Sequence, residues 1–383
     1  MSRFHSSPLE DEDLLREILL RLPPQPSSLP RASLVCPRWR SVVSDPKFRR
    51  RFREHHRKPP LLGFFAMHDN KDSVFTPLLD PPDRIPAERF AMPLSLSEGW
   101  DFMGCRHGLA VLINRSRREI IVWDPLSGQQ RHMPFPKGLN NNARLPYWHA
   151  TVLCVDAEDG HVHGDCFSSL FKLVLICACR THAFGVVYDS ASGVWGNIIS
   201  IVTTGLMSSR PGVLIGSALY WFIHGGGVLA FDIERQSLSI IEKPTDVHYS
   251  HFLTFQLFRI QDSTLGIAVI PMSEHNIQLW ARKSNSDGLV SWLLQKTVEL
   301  DELFSPSPHM KTRLLMRGYD DDTNVIFLAS DLDDFMLQLE TMKVTHIGIG
   351  NPWRLKICYP YTNFFTTVRG VAGGDGGAEH VNT

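Results

Sequence analysis

The chain has 383 residues, of which 43% are hydrophobic and 21% charged; this describes two or three folded domains and excludes a wholly disordered chain. The net charge of -1 hides a polarity: residues 1–60 carry thirteen Lys/Arg against seven Asp/Glu, so the rest is acidic, which argues against a body that binds nucleic acid generically. No run of about eighteen apolar residues exists, so no membrane span is expected. The opening MSRFHSSPLEDED has no apolar signal core, and seven scattered cysteines fit a reducing compartment. The expected location is intracellular, in the nucleus, the cytoplasm or both.

Residues 1–12 read as a flexible polar tail. From there to residue 58 the pattern is helical. Leu14, Leu15, Ile18, Leu19 and Leu22 recur on one face of an amphipathic helix, which Pro23-Pro24 ends. Leu20 lies off that face. Ser28 offers an N-cap oxygen to a second stretch with Leu29, Ala32, Leu34, Val35 and Cys36. Pro37 suits the first turn of a third helix with Trp39, Val42 and Val43. Asp45-Pro46 starts a fourth, with Phe48 and Phe52 a turn apart. Such short helices cannot bury a full core alone, so some apolar surface should be hidden against something else. The basic run Arg49–Lys58 reads as a solvated helix face with Phe48 and Phe52 turned inward, against a localisation or phosphate-binding patch.

On these residues the stretch resembles an F-box. The matching pieces are Asp13-Leu14-Leu15, Ile18-Leu19, Leu22-Pro23, Leu34-Val35-Cys36, Trp39-Arg40 and Asp45-Pro46-Lys47-Phe48. The usual Leu-Pro-x-acidic opening is replaced by Pro8-Leu9-Glu10-Asp11. The competing reading is a small helical cap on the following domain.

Pro59-Pro60 marks a boundary, after which Leu61–Ala66 is a short strand run. Residues 68–94, rich in Pro and Asp, resist placement. From Trp100 onward short strands alternate with Gly, Asp, Asn and Ser-Gly turns. A loose repeat emerges around Trp123-Asp124, Tyr188-Asp189, Phe231-Asp232 and Trp280, with a last unit at Phe335–Glu340. Each is an apolar strand ending in an aromatic residue, a tight turn, then a partly polar strand. An Asp past the strand end can hydrogen-bond its own turn, a reason for the pairing to recur.

The aromatic positions fit the third strand of a four-stranded blade, so residues 61–366 read as a β-propeller. Five units are visible, at about 95–136, 147–201, 210–244, 252–298 and 311–348. A sixth closes from both ends, Trp353–Tyr359 pairing with Leu62–Ala66, which removes free sheet edges. Six blades is the reading, with five or seven left open and a pair of β-sandwiches as the second choice. The fold class is thus multidomain: a small all-α unit at 13–58, then an all-β propeller, with a disordered tail at 370–383. The body also resembles the propeller-like associated domain of plant F-box proteins, through Pro59–Phe65, His161–Cys166, Val194-Trp195-Gly196, Ala218–Trp221 and Leu279-Trp280.

Candidate chemistry is sparse. His161, His163 and Cys166, with Cys154, Cys177 and Cys179 nearby, could offer zinc ligands. No Cys-x-x-Cys pair exists, and buried cysteine as a small hydrophobe is the commoner outcome, so no metal and no cofactor are expected. Asp320–Asp322 and Asp331, Asp333 and Asp334 lack the spacing of a calcium loop and read as turns. His224–Gly227 enters a strand and reads as a hairpin turn, not a phosphate cradle. No nucleophile motif appears, so the reading is not an enzyme.

The F-box resemblance implies docking to a Skp-family adaptor, and through it a cullin scaffold, in a ubiquitin ligase. The propeller would hold an unknown protein substrate. The resemblance points to Leu14, Leu15, Ile18, Leu19, Leu22, Pro23, Leu34, Val35 and Trp39 as adaptor-binding, with Trp39 and Leu34 first in line to serve the unit's own core instead. No substrate residue can be named. The alternatives are a ligase-independent propeller scaffold and a glycan-binding or hydrolytic propeller.

Overall fold

The computed structural model describes residues 11–68, 71–92, 98–139, 147–155, 163, 166–225, 227–244, 254–260, 263–271, 275–284, 290–304, 314–330, 333–347 and 355–365. The tails expected at both ends thus fall largely or wholly outside the described residues. Two compact units separate, the second spanning Lys58–Asn363.

Among its described residues the first unit holds four helices: α1 (Glu12–Leu20), α2 (Ser28–Ser33), α3 (Pro37–Ser44) and α4 (Pro46–His56). Asp11 caps α1 by accepting from Asp13 N and Leu14 N, and Asp45 caps α4 by accepting from Lys47 N. Ser28 is the first residue of α2 rather than its cap; the cap position is Ser27. The helix also stops sooner than its apolar pattern suggested. Leu34 and Val35 stand in the turn before Cys36, the residue ahead of Pro37 in α3. Leu15, Leu19, Leu29, Val42, Val43, Phe48 and Phe52 are buried.

The second unit is a six-bladed propeller. Its N-terminal hairpin is β1 (Leu61–His68) and β2 (Lys71–Pro77). The first complete blade is β3 (Trp100–Arg106), β4 (Leu109–Asn114), β5 (Glu119–Trp123) and β6 (Gln130–Pro134). The second is β7 (Tyr147–Cys154), β8 (Phe171–Ala178) and β9 (His182–Asp189), with β10 (Val194–Trp195) and β11 (Ile199–Val202) sharing β9. In the third, β12 (Leu206–Met207) and β13 (Val213–Ile215) share β14 (Ala218–His224), followed by β15 (Gly227–Asp232) and β16 (Ser237–Ile241). The fourth is β17 (Phe255–Ile260), β18 (Thr264–Val269), β19 (Asn276–Ser284) and β20 (Val290–Glu299). The fifth is β21 (Leu315–Asp320), β22 (Val325–Ala329), β23 (Asp334–Gln338) and β24 (Lys343–His346). The aromatic repeat falls on the third strands β5, β9, β15 and β19, as its spacing predicted.

The sixth blade closes the ring from both ends. β25 (Leu355–Thr362) pairs antiparallel with β1, with Phe65 opposite Tyr359 and Ala66 opposite Cys358. The described part of this strand starts at Leu355, so Trp353, expected within it, lies outside the described residues. β25 neighbours both β21 and β3, and β3 neighbours β7; these inner strands surround the axis. At the seam a Cβ on Gly318 of β21 would lie 2.3 Å from Cys358 O, so only glycine lets the two inner strands approach so closely.

Blade packing follows from strand alternation. On β8, Leu173, Leu175 and Cys177 join the core shared with Ile120 and Val122 of the first blade. Val174, Ile176 and Ala178 face Leu219, Trp221 and Phe231 of the third. A strand buried on both faces reads as a continuous apolar run, which is what the sequence shows there. At the closing seam the packing is aromatic: the Phe65 ring sits 5.0 Å from Phe102 and 5.8 Å from Trp123.

The strand-end acids do what their position suggested. Asp124 accepts from Leu126 N at 2.9 Å, Asp189 from Ala191 N at 2.9 Å, and Asp232 from Glu234 N and Arg235 N. Four residues on, the backbone turns left-handed, at Gly128 (φ 77°), Gly193 (φ 72°) and Gln236 (φ 47°). Asp320 builds the same turn between β21 and β22, accepting from Thr323 N at 2.8 Å, and Asn324 takes φ 57°.

Candidate partner-docking site

Within the helical unit, α1 is held against α4 at both ends. Arg16 bridges Glu12 at 2.9 Å and Asp45 at 3.0 Å, so the residue that caps α4 also anchors α1. The Lys47 backbone N–H, then Arg16, holds the Asp45 carboxyl below its ordinary range. At the other end His56 lies 3.0 Å from Leu20 O, one of the carbonyls a helix end leaves unpaired. Burial, with His55 beside it, lowers the His56 pKa, so the ring is neutral near pH 7 and donates that bond.

This clamp decides which apolar residues face solvent. Leu15, Leu19 and Leu20 turn inward. Leu14 and Ile18, one turn apart, remain 42% and 38% exposed. Leu34 and Val35 are 75% and 61% exposed. Of the other residues singled out, Leu22 and Trp39 are half-buried and Pro23 is exposed. Leu34 is therefore exposed, where the sequence had put it, with Trp39, first in line for the unit's own core. The early stop of α2 puts it in a turn, and the signal was Pro37, which forces the next helix to start right after Val35-Cys36. The basic run engages its own unit: Arg49 donates to Val43 O, Arg50 pairs with Glu54, and Arg51 with Glu17.

On the propeller, the turn linking β3 to β4 and that linking β21 to β22 lie at one mouth of the axial channel. Arg106 pairs with Asp321 at 2.5 Å and donates to Gly212 O at 2.9 Å, tying three blades together. Asp322 accepts from Thr362 Oγ1 at 2.5 Å. Arg210 is fully enclosed and donates to Phe255 O and to Met316 O. Burial lowers its pKa to about 9, which leaves it charged at neutral pH. The cavity among these groups is about 40 Å³, room for one or two waters. Asp320, Asp321 and Asp322 all line it. Burial and the neighbouring Asp322 carboxylate raise Asp320 to about 7. A hydrolytic propeller needs two carboxyls flanking a sugar ring. Here each carboxylate is engaged by Arg106, Thr323 or Thr362, and the cavity is too small for a sugar. The cluster acts as a staple between blades.

The structure also sorts the cysteines. Cys177 is core, its thiol pushed up to about 12 chiefly by burial. Cys154, His163 and Cys166 come together beside the turn between β3 and β4, within 4.8 Å of one another. His107 in that turn was not singled out by sequence; its ring stacks on His163 at 3.4 Å. Its signal was local, a His-Gly pair between two strands where the backbone turns left-handed. His161 lies outside the described residues.

Two family models match. One, described as F-box protein AT5G49610-like, beta-propeller, covers residues 101–351. The other, the F-box domain, covers residues 11–51. F-box protein At5g03970 of Arabidopsis thaliana is 21% identical over 366 residues, covering 88% of this chain and 82% of that protein. F-box protein At5g07610 of the same plant is 22% identical over 317 residues, covering 78% and 72%. Among solved structures, AztD of Citrobacter koseri is similar at a TM-score of 0.36 and 14% identity, covering 78% of this chain and 87% of that one.

Proposed function

The chain belongs to the F-box proteins with an AT5G49610-like β-propeller, and on that premise we propose that it is the substrate-recruiting subunit of a Skp-cullin-F-box ubiquitin ligase. F-box domains generally bind Skp-type adaptors, and in this reading the helical unit docks to one. The observation that carries this reading is the set of large apolar side chains the unit leaves in water: Leu14, Ile18, Leu34 and Val35. Four large aliphatic side chains exposed within one small helical unit are apolar surface that a partner would cover. Leu15 and Leu19, which sequence grouped with them, are buried in the unit itself, while Leu22 and Trp39 are half-buried and Pro23 is exposed. The propeller presents a protein substrate to the ubiquitin-charged enzyme brought by the cullin, so the subunit contributes proximity and orientation, not a nucleophile.

Affinity purification of the full chain, against a chain lacking residues 11–51, tests this. Adaptor and cullin should be recovered only with the intact chain, and substrate with both. Absence of the adaptor from the intact chain's partners would favour a ligase-independent scaffold.

A further inference from the structure

We propose that Cys154, His163 and Cys166 form a zinc(II) site on the channel-mouth face of the propeller. The spacing of the cysteines pointed the other way in sequence, because Cys154 and Cys166 are brought together only by the fold. Cys154 ends β7, while His163 and Cys166 sit in the long connection to β8. Their ligand atoms all fall within 4.8 Å of one another, and His163 Nδ1 is already 3.4 Å from Cys166 Sγ. Tetrahedral zinc, with Zn–S near 2.3 Å and Zn–N near 2.0–2.1 Å, holds its donors roughly 3.5–3.8 Å apart. The His–Cys edge is thus at its bonding separation, and the remaining edges close by about 1 Å of side-chain movement at most.

The surroundings favour the metal. His163 stacks face to face on His107, at 3.4 Å and 6° between planes, which fixes the ring's orientation. His107 Nδ1 in turn accepts from the backbone N–H of Cys154 at 3.4 Å. His107 thus touches the His163 ring on one side and the Cys154 backbone on the other, linking two of the donors. Below, Cys166 is buried in the core between the first two blades. Arg131 secures the chain just beyond it, donating to Phe167 O at 3.1 Å and lying over the Phe171 ring. Two thiolates and a neutral imidazole balance the charge of Zn²⁺, so the half-buried complex is neutral, where an uncompensated charge would be heavily penalised. Thiolate donors select zinc over calcium or magnesium, which take oxygen. Three protein donors leave the fourth position to water.

Bound zinc would pin the connection between β7 and β8 beside the turn between β3 and β4. Arg106, the last residue of β3 before that turn, holds Asp321 at the channel mouth. The proposal is independent of adaptor docking.

The test uses the full chain, reduced, equilibrated with zinc chloride, then passed through a desalting column and assayed by elemental mass spectrometry. About one zinc per chain is expected, falling by at least about tenfold in Cys166→Ser and in His163→Ala. Cys179→Ser, outside the cluster, should keep its zinc. Cobalt(II) in place of zinc should give thiolate-to-cobalt charge-transfer absorption that Cys154→Ser weakens. Should the variants fold poorly, the wild-type chain still decides: a strong chelator should strip the metal and speed proteolysis between β7 and β8 while leaving the ring's melting transition. No zinc bound by the reduced wild-type chain would overturn the proposal, as would zinc retained by both Cys166→Ser and His163→Ala. Recovery of a Cys154–Cys166 disulfide with no zinc uptake after reduction would assign the pair to redox chemistry and equally refute it.

Discussion

Leu34→Ala combined with Val35→Ala separates docking from folding more cleanly than any other change in the helical unit. Both side chains are largely in water, at 75% and 61% exposure, so their loss should shift the unit's own stability by no more than about 0.5 kcal/mol. Fully burying a Val or Leu side chain contributes roughly 1.5–3 kcal/mol, so the exposed fractions give about 1–2 kcal/mol apiece if an adaptor covers them. Interface area converts poorly to absolute affinity, but the difference between two variants of one interface is safer. Together the truncations should weaken adaptor binding by about 2–4 kcal/mol, or roughly 30- to 700-fold in Kd. Titration calorimetry with a purified Skp-family adaptor measures this, with far-ultraviolet circular dichroism as the folding control. Leu15→Ala provides the contrast: this residue is fully buried, so its truncation should cost about 2–5 kcal/mol of helix stability before any effect on docking. A doubly truncated chain that keeps its helices and binds the adaptor within about threefold of wild type would refute the docking face.

Further outcomes follow from the propeller. Gly318→Ala should lower its stability by about 1–3 kcal/mol in chemical denaturation, because the added carbon meets the Cys358 carbonyl and the backbone must move. Removing residues 352–383 deletes the inner strand of the closing blade and exposes β1, so the product should aggregate; a monomer with unchanged thermal unfolding would speak against closure by β25. His149 hydrogen-bonds Ser208 O at 2.7 Å, and burial lowers its pKa to about 4. Below the ordinary histidine value the unfolded imidazole takes up a proton while the folded one stays neutral. Stability from this group is therefore complete above about 6.5 and is lost as pH falls toward 4, by at most about 1.4 kcal/mol per pH unit. His149→Gln keeps a donor without the titration, so its stability relative to wild type should rise across that window; denaturant midpoints at pH 7 and pH 4.5 would reveal a missing trend.

The sequence carried the fold where local chemistry and period agreed. Apolar runs such as Leu173–Cys177 announce strands buried on both faces, and Asp124, Asp189 and Asp232 announce the turns by offering the oxygen those turns need. Closure was legible because an apolar run just after Pro60 had no partner nearby. Which apolar residues of the helical unit face outward was less legible. Leu15 and Ile18 look alike in a helical pattern, and only the clamp of α4 on α1 separates them. The convergence of Cys154, His163 and Cys166 was hidden for another reason: a loop, not a period, joins them, and loop paths leave no regular trace in sequence.

The closing blade also sets a timetable for the chain's synthesis. Phe65 and Tyr359 are partners across about 290 residues, which a ribosome takes roughly fifteen seconds to a minute to add at 5–20 residues per second. For that interval the nascent β1–β2 hairpin waits without its third strand, while five blades emerge behind it. The helical unit, encoded ahead of the ring, leaves the exit tunnel first. On the proposed function, an adaptor would meet it before the ring exists, so adaptor capture and ring completion would run on separate clocks.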